Sequence, residues 1–373
     1  MKPSTQYSRR NFLKHSLPGG VVLAAAPVMG FTSPTIVNTK ANTASLIKKP
    51  VPRLPCSILL TSGIDKEFEK QIRSISPEIK LLEELDGQDY KDALKSADVY
   101  LGRISAEDFA LIENLSWVQS GSAGVEHQLY SEFASSDVVL TNAKGCYAPA
   151  IAEHTIGLLF SLTRKIGGQI RNMRQHQWGG SGEHLEMKNL TMGIVGFGGI
   201  GRQVARRAKA MDMRVVAADI QGFYKEQIGD VCDELYYIND GGLNELLGQS
   251  DVVVCATPHT PVSEGMFGKA QFEQMKKGAF FINVSRGKLV KTDALLAALN
   301  SGQLSGAGLD VTDPEPLPSD HPLWEFENVT ITSHISGRSQ HSWERLQSVF
   351  VENVQRYING HPMVNLVDKK LGF

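Results

Sequence analysis

From residue 57 onward the chain alternates short apolar runs with longer amphipathic stretches. The run Val252-Val253-Val254-Cys255-Ala256 carries no polar residue, as expected of a strand covered on both faces. Comparable runs predict strands at 57–60, 79–85, 97–102, 117–119 and 138–142. A second series follows at 192–195, 214–218, 234–238, 251–257, 279–285, 308–311 and 329–332. Between them, helical spacing covers 65–75, 105–115, 150–165, 202–211, 269–277, 292–302 and 338–359. Ser105 with Asp108 resembles a capping box, and Pro149 occupies a first-turn position that tolerates proline. Regular alternation of strand and helix specifies α/β lobes with parallel sheets. At 373 residues, two such lobes are expected.

The stretch 191–219 organises the second lobe. A short apolar run leads into Gly196, Gly198 and Gly201, a G-x-G-x-x-G turn completed by Gly199 and Ile200, then a helix, a second strand and Asp219 at its tip. Gly196 allows the tight turn, Gly198 lets backbone approach a pyrophosphate, and Gly201 lets helix pack on strand. The helix N-terminus offers N–H groups and a positive dipole end to phosphates. Asp219 suits a ribose 2′-hydroxyl and repels a 2′-phosphate, and no Arg or Lys stands in the five residues after it, so NAD is favoured over NADP. The reading is therefore an α/β chain of two Rossmann-like or flavodoxin-like lobes with parallel sheets, joined by crossing helices at 150–165 and 338–359. Residues 45–148 plus 338–373 form the first lobe, with the tail docking on it, and 149–337 form the nucleotide lobe. In the first lobe, the turn through Ser122, Ala123, Gly124 and Val125 follows a strand, where such sheets bind ligands. Its amides can hold a carboxylate, or it is a plain turn.

Composition adds limits. The net charge of −2 and 42% hydrophobic content describe a globular enzyme without a nucleic-acid footprint. Cys56, Cys146, Cys232 and Cys255 form no C-x-x-C pair, so no metal or redox site is predicted, and they read as small core residues. The N-terminus is different. The first 64 residues lack Asp and Glu, and Ser8-Arg9-Arg10-Asn11-Phe12-Leu13-Lys14 matches a twin-arginine export motif ahead of a weakly apolar stretch at 17–31. Residues 1–44 are thus expected to be a signal and leader that engages the twin-arginine export machinery, with a periplasmic destination. That route carries folded proteins, and the cofactor is expected to travel with the chain.

Arg286, Asp310, Glu315 and His334 all fall at or just beyond predicted C-terminal strand ends, where open α/β sheets place catalytic groups. With these residues, the chain resembles the D-isomer-specific 2-hydroxyacid dehydrogenase family over roughly residues 56–373. The resemblance rests on Ala152-Glu153-His154, Gly196 to Gly201, Asn283-Val284-Ser285-Arg286-Gly287, Gly308-Leu309-Asp310-Val311 with Glu315-Pro316, and His334-Ile335-Ser336-Gly337. It implies an NAD-dependent oxidoreductase that interconverts a small 2-oxo acid and its D-2-hydroxy acid, and a homodimer. It further implies that Arg286 binds the substrate carboxylate and carbonyl, that His334 exchanges the proton, and that Glu315 bonds the other ring nitrogen. Thr257, Pro258, Val284, Ser285, Asp310 and Gly337 would line the cofactor cleft. Ser333 and Thr312 depart from the family pattern, which has proline and an aromatic there. An NAD-bound regulatory or binding protein reusing the fold, or an enzyme that oxidises another small anion of the formate or phosphite type, stays open on the sequence.

Overall fold

Strand-forming segments gather into two all-parallel sheets in the computed structural model, which describes residues 54–61, 66–83, 85–180, 182–220 and 229–373. The export motif at 8–14 lies outside the described residues. The first sheet contains β1 (Cys56–Leu60), β2 (Ile79–Leu82), β3 (Val99–Leu101), β4 (Trp117–Gln119) and β5 (Val139–Thr141), in the order β2-β1-β3-β4-β5. That is the flavodoxin-like order. Helices α1 (Lys66–Ile75), α2 (Gly87–Ser96), α3 (Ala106–Phe109) and α4 (Ser131–Ser135) connect its strands.

The chain then leaves this sheet through α5 (Ala148–Thr163) and α6 (Ile166–Arg174). The second sheet follows: β6 (Thr191–Val195), α7 (Gly199–Ala210), β7 (Arg214–Asp219), β8 (Glu234–Tyr237), α8 (Gly242–Gln249) and β9 (Val252–Cys255). It continues with α9 (Lys269–Gln274), β10 (Ala279–Asn283), α10 (Thr292–Asn300), β11 (Leu304–Leu309) and β12 (Val329–Ile331). Its order, β12-β11-β10-β9-β6-β7-β8, becomes 3-2-1-4-5-6 with a seventh edge strand when counted from β6. That is the Rossmann arrangement, with its switch point between β6 and β9.

Alternation along β9 shows why its sequence is uniformly apolar. Val252 and Val254 join Met192, Ile194, Phe280 and Ile282 on one face of the sheet. Val253 and Cys255 join Val195, Val216 and Phe281 on the other. Both faces are covered, so period-two polarity disappears. Helix α5 lies so close to β11 that a Cβ on Gly308 would sit 3.0 Å from that of Leu158.

A last helix, α11 (Ser342–Ile358), returns to the first sheet. Phe350 stacks 5.7 Å from both Phe68 and Trp117, and Tyr357 lies 5.6 Å from Trp117. A satisfied polar pair fixes the register: Asn353 Nδ2 donates to Gln119 Oε1 (3.0 Å), and Val364 N donates to Asn353 Oδ1 (2.7 Å). Val367 N donates to Leu140 O, so the tail docks on β5 as expected.

Several boundaries differ from the pattern reading. The strand predicted to 85 ends at Leu82, and the helix predicted to 115 stops at Phe109. Helices α2, α4, α6 and α8 lie outside the helical spans that the pattern predicts. Lys165 adopts a left-handed conformation (φ 54°), which separates α5 from α6. All four cysteines are buried and free. Desolvation pushes the Cys255 thiol to about 12 and those of Cys146 and Cys232 to about 11, so they act as small apolar residues.

Candidate active site

The G-x-G-x-x-G turn has the three local environments that its glycines require. Gly196 (φ 94°) is pressed against β9: a Cβ there would lie 2.7 Å from the Ala256 carbonyl. At Gly201 a Cβ would meet Gly196 O at 2.2 Å, which shows how closely α7 packs on the turn. Around Gly198 nothing lies within 4 Å, so its bare backbone faces open space at the helix N-terminus. This is a fitting cradle for a pyrophosphate, with the first-turn amides from Gly199, Ile200 and Gly201 directed at it. Asp219, at the tip of β7, accepts from the Phe197 amide at 2.6 Å and so stands beside the same turn. The facing strand ends are tied together: Thr257 Oγ1 donates to Val195 O (3.0 Å), and Ser285 Oγ donates to Thr257 O. Pro258 O accepts from Ser263. Val284 is buried in the core, and Gly337 rests on Tyr147 at the start of α5.

Just beyond β10, Asn283 closes the turn that projects Arg286. Its Nδ2 donates to Arg286 O at 2.8 Å, and its Oδ1 accepts from Ser285 N at 3.1 Å. At Gly287 a Cβ would fall 1.9 Å from Thr312 O, so only glycine lets the loop after β11 come this close. That loop carries Glu315. Thr312, one of the two departures from the family pattern, donates its hydroxyl to Pro314 O (2.9 Å) within the same loop, and Ser333 is exposed.

His334 Nδ1 meets Glu315 Oε1 at 2.7 Å, with both side chains a little under half exposed. With Nδ1 engaged, Nε2 is the nitrogen left to exchange a proton. His334 is held at φ 53°, a left-handed conformation that a histidine adopts only when its surroundings enforce it. Asp310 supplies that enforcement. Its backbone oxygen accepts from His334 N (2.8 Å), and its carboxylate accepts from Ile335 N, Ser336 N and Thr332 Oγ1 at 3.0, 3.0 and 2.6 Å. Burial works to raise the Asp310 pKa, but these hydrogen bonds outweigh it and hold the carboxyl below its ordinary range. Asp310 is 1% exposed, and through these bonds it positions the histidine.

The loop expected to hold the substrate comes across to these residues. Ala123 O accepts from Asn142 Nδ2 (2.8 Å), and Ser122 O accepts from Ala143 N (3.0 Å). Val125 is fully buried in the first lobe and offers no side chain to the cleft. Gly124 lies against Arg286, whose Nη2 would be 1.9 Å from a Cβ at this position. Two participants escaped the sequence reading. Glu126 pairs with Arg286 Nε at 2.5 Å, and His154 Nε2 meets Thr332 Oγ1 at 2.8 Å. The only hints in the sequence were an acid directly after the glycine turn and the histidine of the Ala-Glu-His motif on α5. His127, next to Glu126, has its Nε2 buried without a partner. Burial, reinforced by the charge of Arg103, lowers its pKa and keeps it neutral.

Fold and site together define a dinucleotide-dependent oxidoreductase in which an arginine and a histidine–carboxylate pair share one strand-end crest. Residues 156–336 match the NAD-binding domain of D-isomer specific 2-hydroxyacid dehydrogenases. The chain is 32% identical over 286 residues to a glyoxylate reductase of Thermofilum pendens, covering 75% of this chain and 82% of that protein. It superposes with a TM-score of 0.74 on a D-isomer specific 2-hydroxyacid dehydrogenase family protein from Aeromonas salmonicida, at 31% identity and covering 84% of this chain and 99% of that one. The NADPH-dependent glyoxylate/hydroxypyruvate reductase of Sinorhizobium meliloti, solved with NADP and sulfate, gives a TM-score of 0.71 at 25% identity, with 85% and 100% covered. The chain belongs to the D-isomer specific 2-hydroxyacid dehydrogenase family, and its cofactor is a nicotinamide dinucleotide.

Proposed function

We propose that this protein reduces a small 2-oxo acid to its D-2-hydroxy acid with NADH, and catalyses the reverse oxidation. The observation that carries this reading is the 2.7 Å Glu315–His334 pair standing at the same strand-end crest as Arg286 and the glycine turn. When bound, the nicotinamide supplies the hydride that the 2-oxo carbon receives. Arg286 binds the carboxylate through charge-assisted hydrogen bonds, about 1.5–3 kcal/mol each. His334 Nε2 gives its proton to the carbonyl oxygen as the hydride arrives, and Glu315 stabilises the ring through Nδ1. In oxidation His334 takes the proton back. Asp219 favours NADH, because a 2′-phosphate would meet its carboxylate, and like charges so placed cost several kcal/mol.

The test is nicotinamide absorbance with glyoxylate, hydroxypyruvate and pyruvate, using NADH and NADPH in turn. We expect turnover of at least one acid, with kcat/KM at least about tenfold higher for NADH. Nucleotide binding without turnover of any acid would favour a regulatory role.

Two further assignments belong to this reading. The Ser8–Lys14 motif supports export by the twin-arginine route, and Arg9→Lys with Arg10→Lys should leave the protein in the cytoplasmic fraction. On α6, Ile166, Ile170 and Met173 recur at helical spacing and are exposed, with Trp178 fully so nearby. We assign this stripe to a homodimer interface, and sedimentation at the monomer mass throughout the micromolar range would rule it out.

A further inference from the structure

The arginine that reads the substrate is tethered from the opposite lobe. Arg286 stands at the end of β10 in the nucleotide lobe, and Glu126 lies in the short turn Glu126–Gln128 after β4 in the first lobe. They are 160 residues apart in sequence, yet Nε donates to Glu126 Oε1 at 2.5 Å. A second donor, on Nη1, goes to Ser285 O at 2.8 Å. A guanidinium has five N–H groups in a fixed fork. One is taken on Nε and one on Nη1, so three N–H groups on the Nη nitrogens remain for an acid. Nη2 is lodged over the bare backbone of Gly124.

The pair is not a solvated surface contact: the side chains of Arg286 and Glu126 are only 29% and 33% exposed. Burial works to raise the Glu126 pKa, but the charge and hydrogen bond of Arg286 outweigh it and hold the carboxylate below its ordinary range. Glu126 therefore stays ionised and engaged at neutral pH.

We propose that Glu126 is a positioning residue for substrate recognition, holding Arg286 by Nε so that its Nη edge faces the substrate carboxylate. The inference rests on the reading that Arg286 binds that carboxylate. It contrasts with a role in which Glu126 is merely a competing acid that the substrate must displace, since positioning and competition shift affinity in opposite directions.

The experiment uses the full chain loaded with NADH and the probe oxamate, which presents a carboxylate beside a carbonyl and is not reduced. Oxamate affinity is read from quenching of NADH fluorescence, and KM and kcat are measured in parallel for any 2-oxo acid turned over. Glu126→Ala should weaken oxamate and raise KM by about tenfold or more, with kcat and NADH affinity little changed. Glu126→Asp keeps the charge but retracts it from Nε, and should behave like Glu126→Ala. Glu126→Gln keeps an oxygen for Nε and should restore most of the affinity. Unchanged or tighter oxamate binding in Glu126→Ala, or wild-type behaviour in Glu126→Asp, overturns the proposal. Turnover by the wild type decides the functional reading separately: an inactive wild type that still binds oxamate more tightly than both variants defeats that reading and upholds the tether.

Discussion

Replacing His334 with alanine should lower kcat by about 10²–10⁴-fold while leaving NADH affinity nearly unchanged. The imidazole is the group that Glu315 fixes through Nδ1, at 2.7 Å, and that Asp310 holds in place through the backbone. Without it, the carbonyl oxygen must take its proton from water, and the positioned acid–base contribution is lost. The backbone conformation is unfavourable for alanine as well as histidine, so the substitution adds little strain of its own. The nucleotide cradle lies on β6 and α7, away from the substituted side chain, which is why cofactor binding should survive. Steady-state turnover and NADH fluorescence titration on the same preparation check both halves. Equal turnover in mutant and wild type would sink the proton-exchange role.

Gly124→Ala should also be damaging, although it adds a single methyl group. Its Cβ would lie 1.9 Å from Arg286 Nη2, 3.0 Å from Cζ and 2.7 Å from Glu126 Oε2. These atoms are the ends of flexible side chains, so the fold can yield by moving them. Gly124 is also not among the glycines with a left-handed backbone, so alanine brings no backbone strain there. The whole cost therefore falls on the guanidinium, which must leave its seat beside the substrate. Losing one charge-assisted hydrogen bond is worth about 1.5–3 kcal/mol, so kcat/KM should fall by about one to two orders of magnitude. The melting temperature should stay within a few degrees. A large loss of stability with residual specific activity intact would show that the methyl group is accommodated elsewhere and that Arg286 does not sit where activity needs it.

Much of the architecture around this site is legible in the sequence. The strands of the larger sheet read as unbroken apolar runs because both faces are covered, so residues 252–255 declared themselves without a partner in view. The glycine turn was equally plain, since backbone geometry at Gly196 and close packing at Gly201 leave no room for a side chain. Helix α2 was not legible, because a ten-residue helix is marginal by its own propensity and its placement depends on the sheet that Ala93 and Leu94 pack against. Strand ends also placed Arg286, Glu315 and His334 on one crest, since parallel sheets present all their C-terminal ends on the same side.

What the chain could not announce were contacts closed over long separations. Asp310 carries no local mark that its carboxylate is consumed by Thr332, Ile335 and Ser336, and His154 meets Thr332 across 178 residues. Glu126 and Arg286 belong to different sheets, and only the packing of one lobe against the other brings them within hydrogen-bonding distance. By itself the sequence determined the two parallel sheets and the glycine turn between β6 and α7, because these follow from local periodicity and backbone sterics. The tertiary structure alone decided how those groups are aimed, because the direction of a side chain is set by partners that sequence order does not bring together.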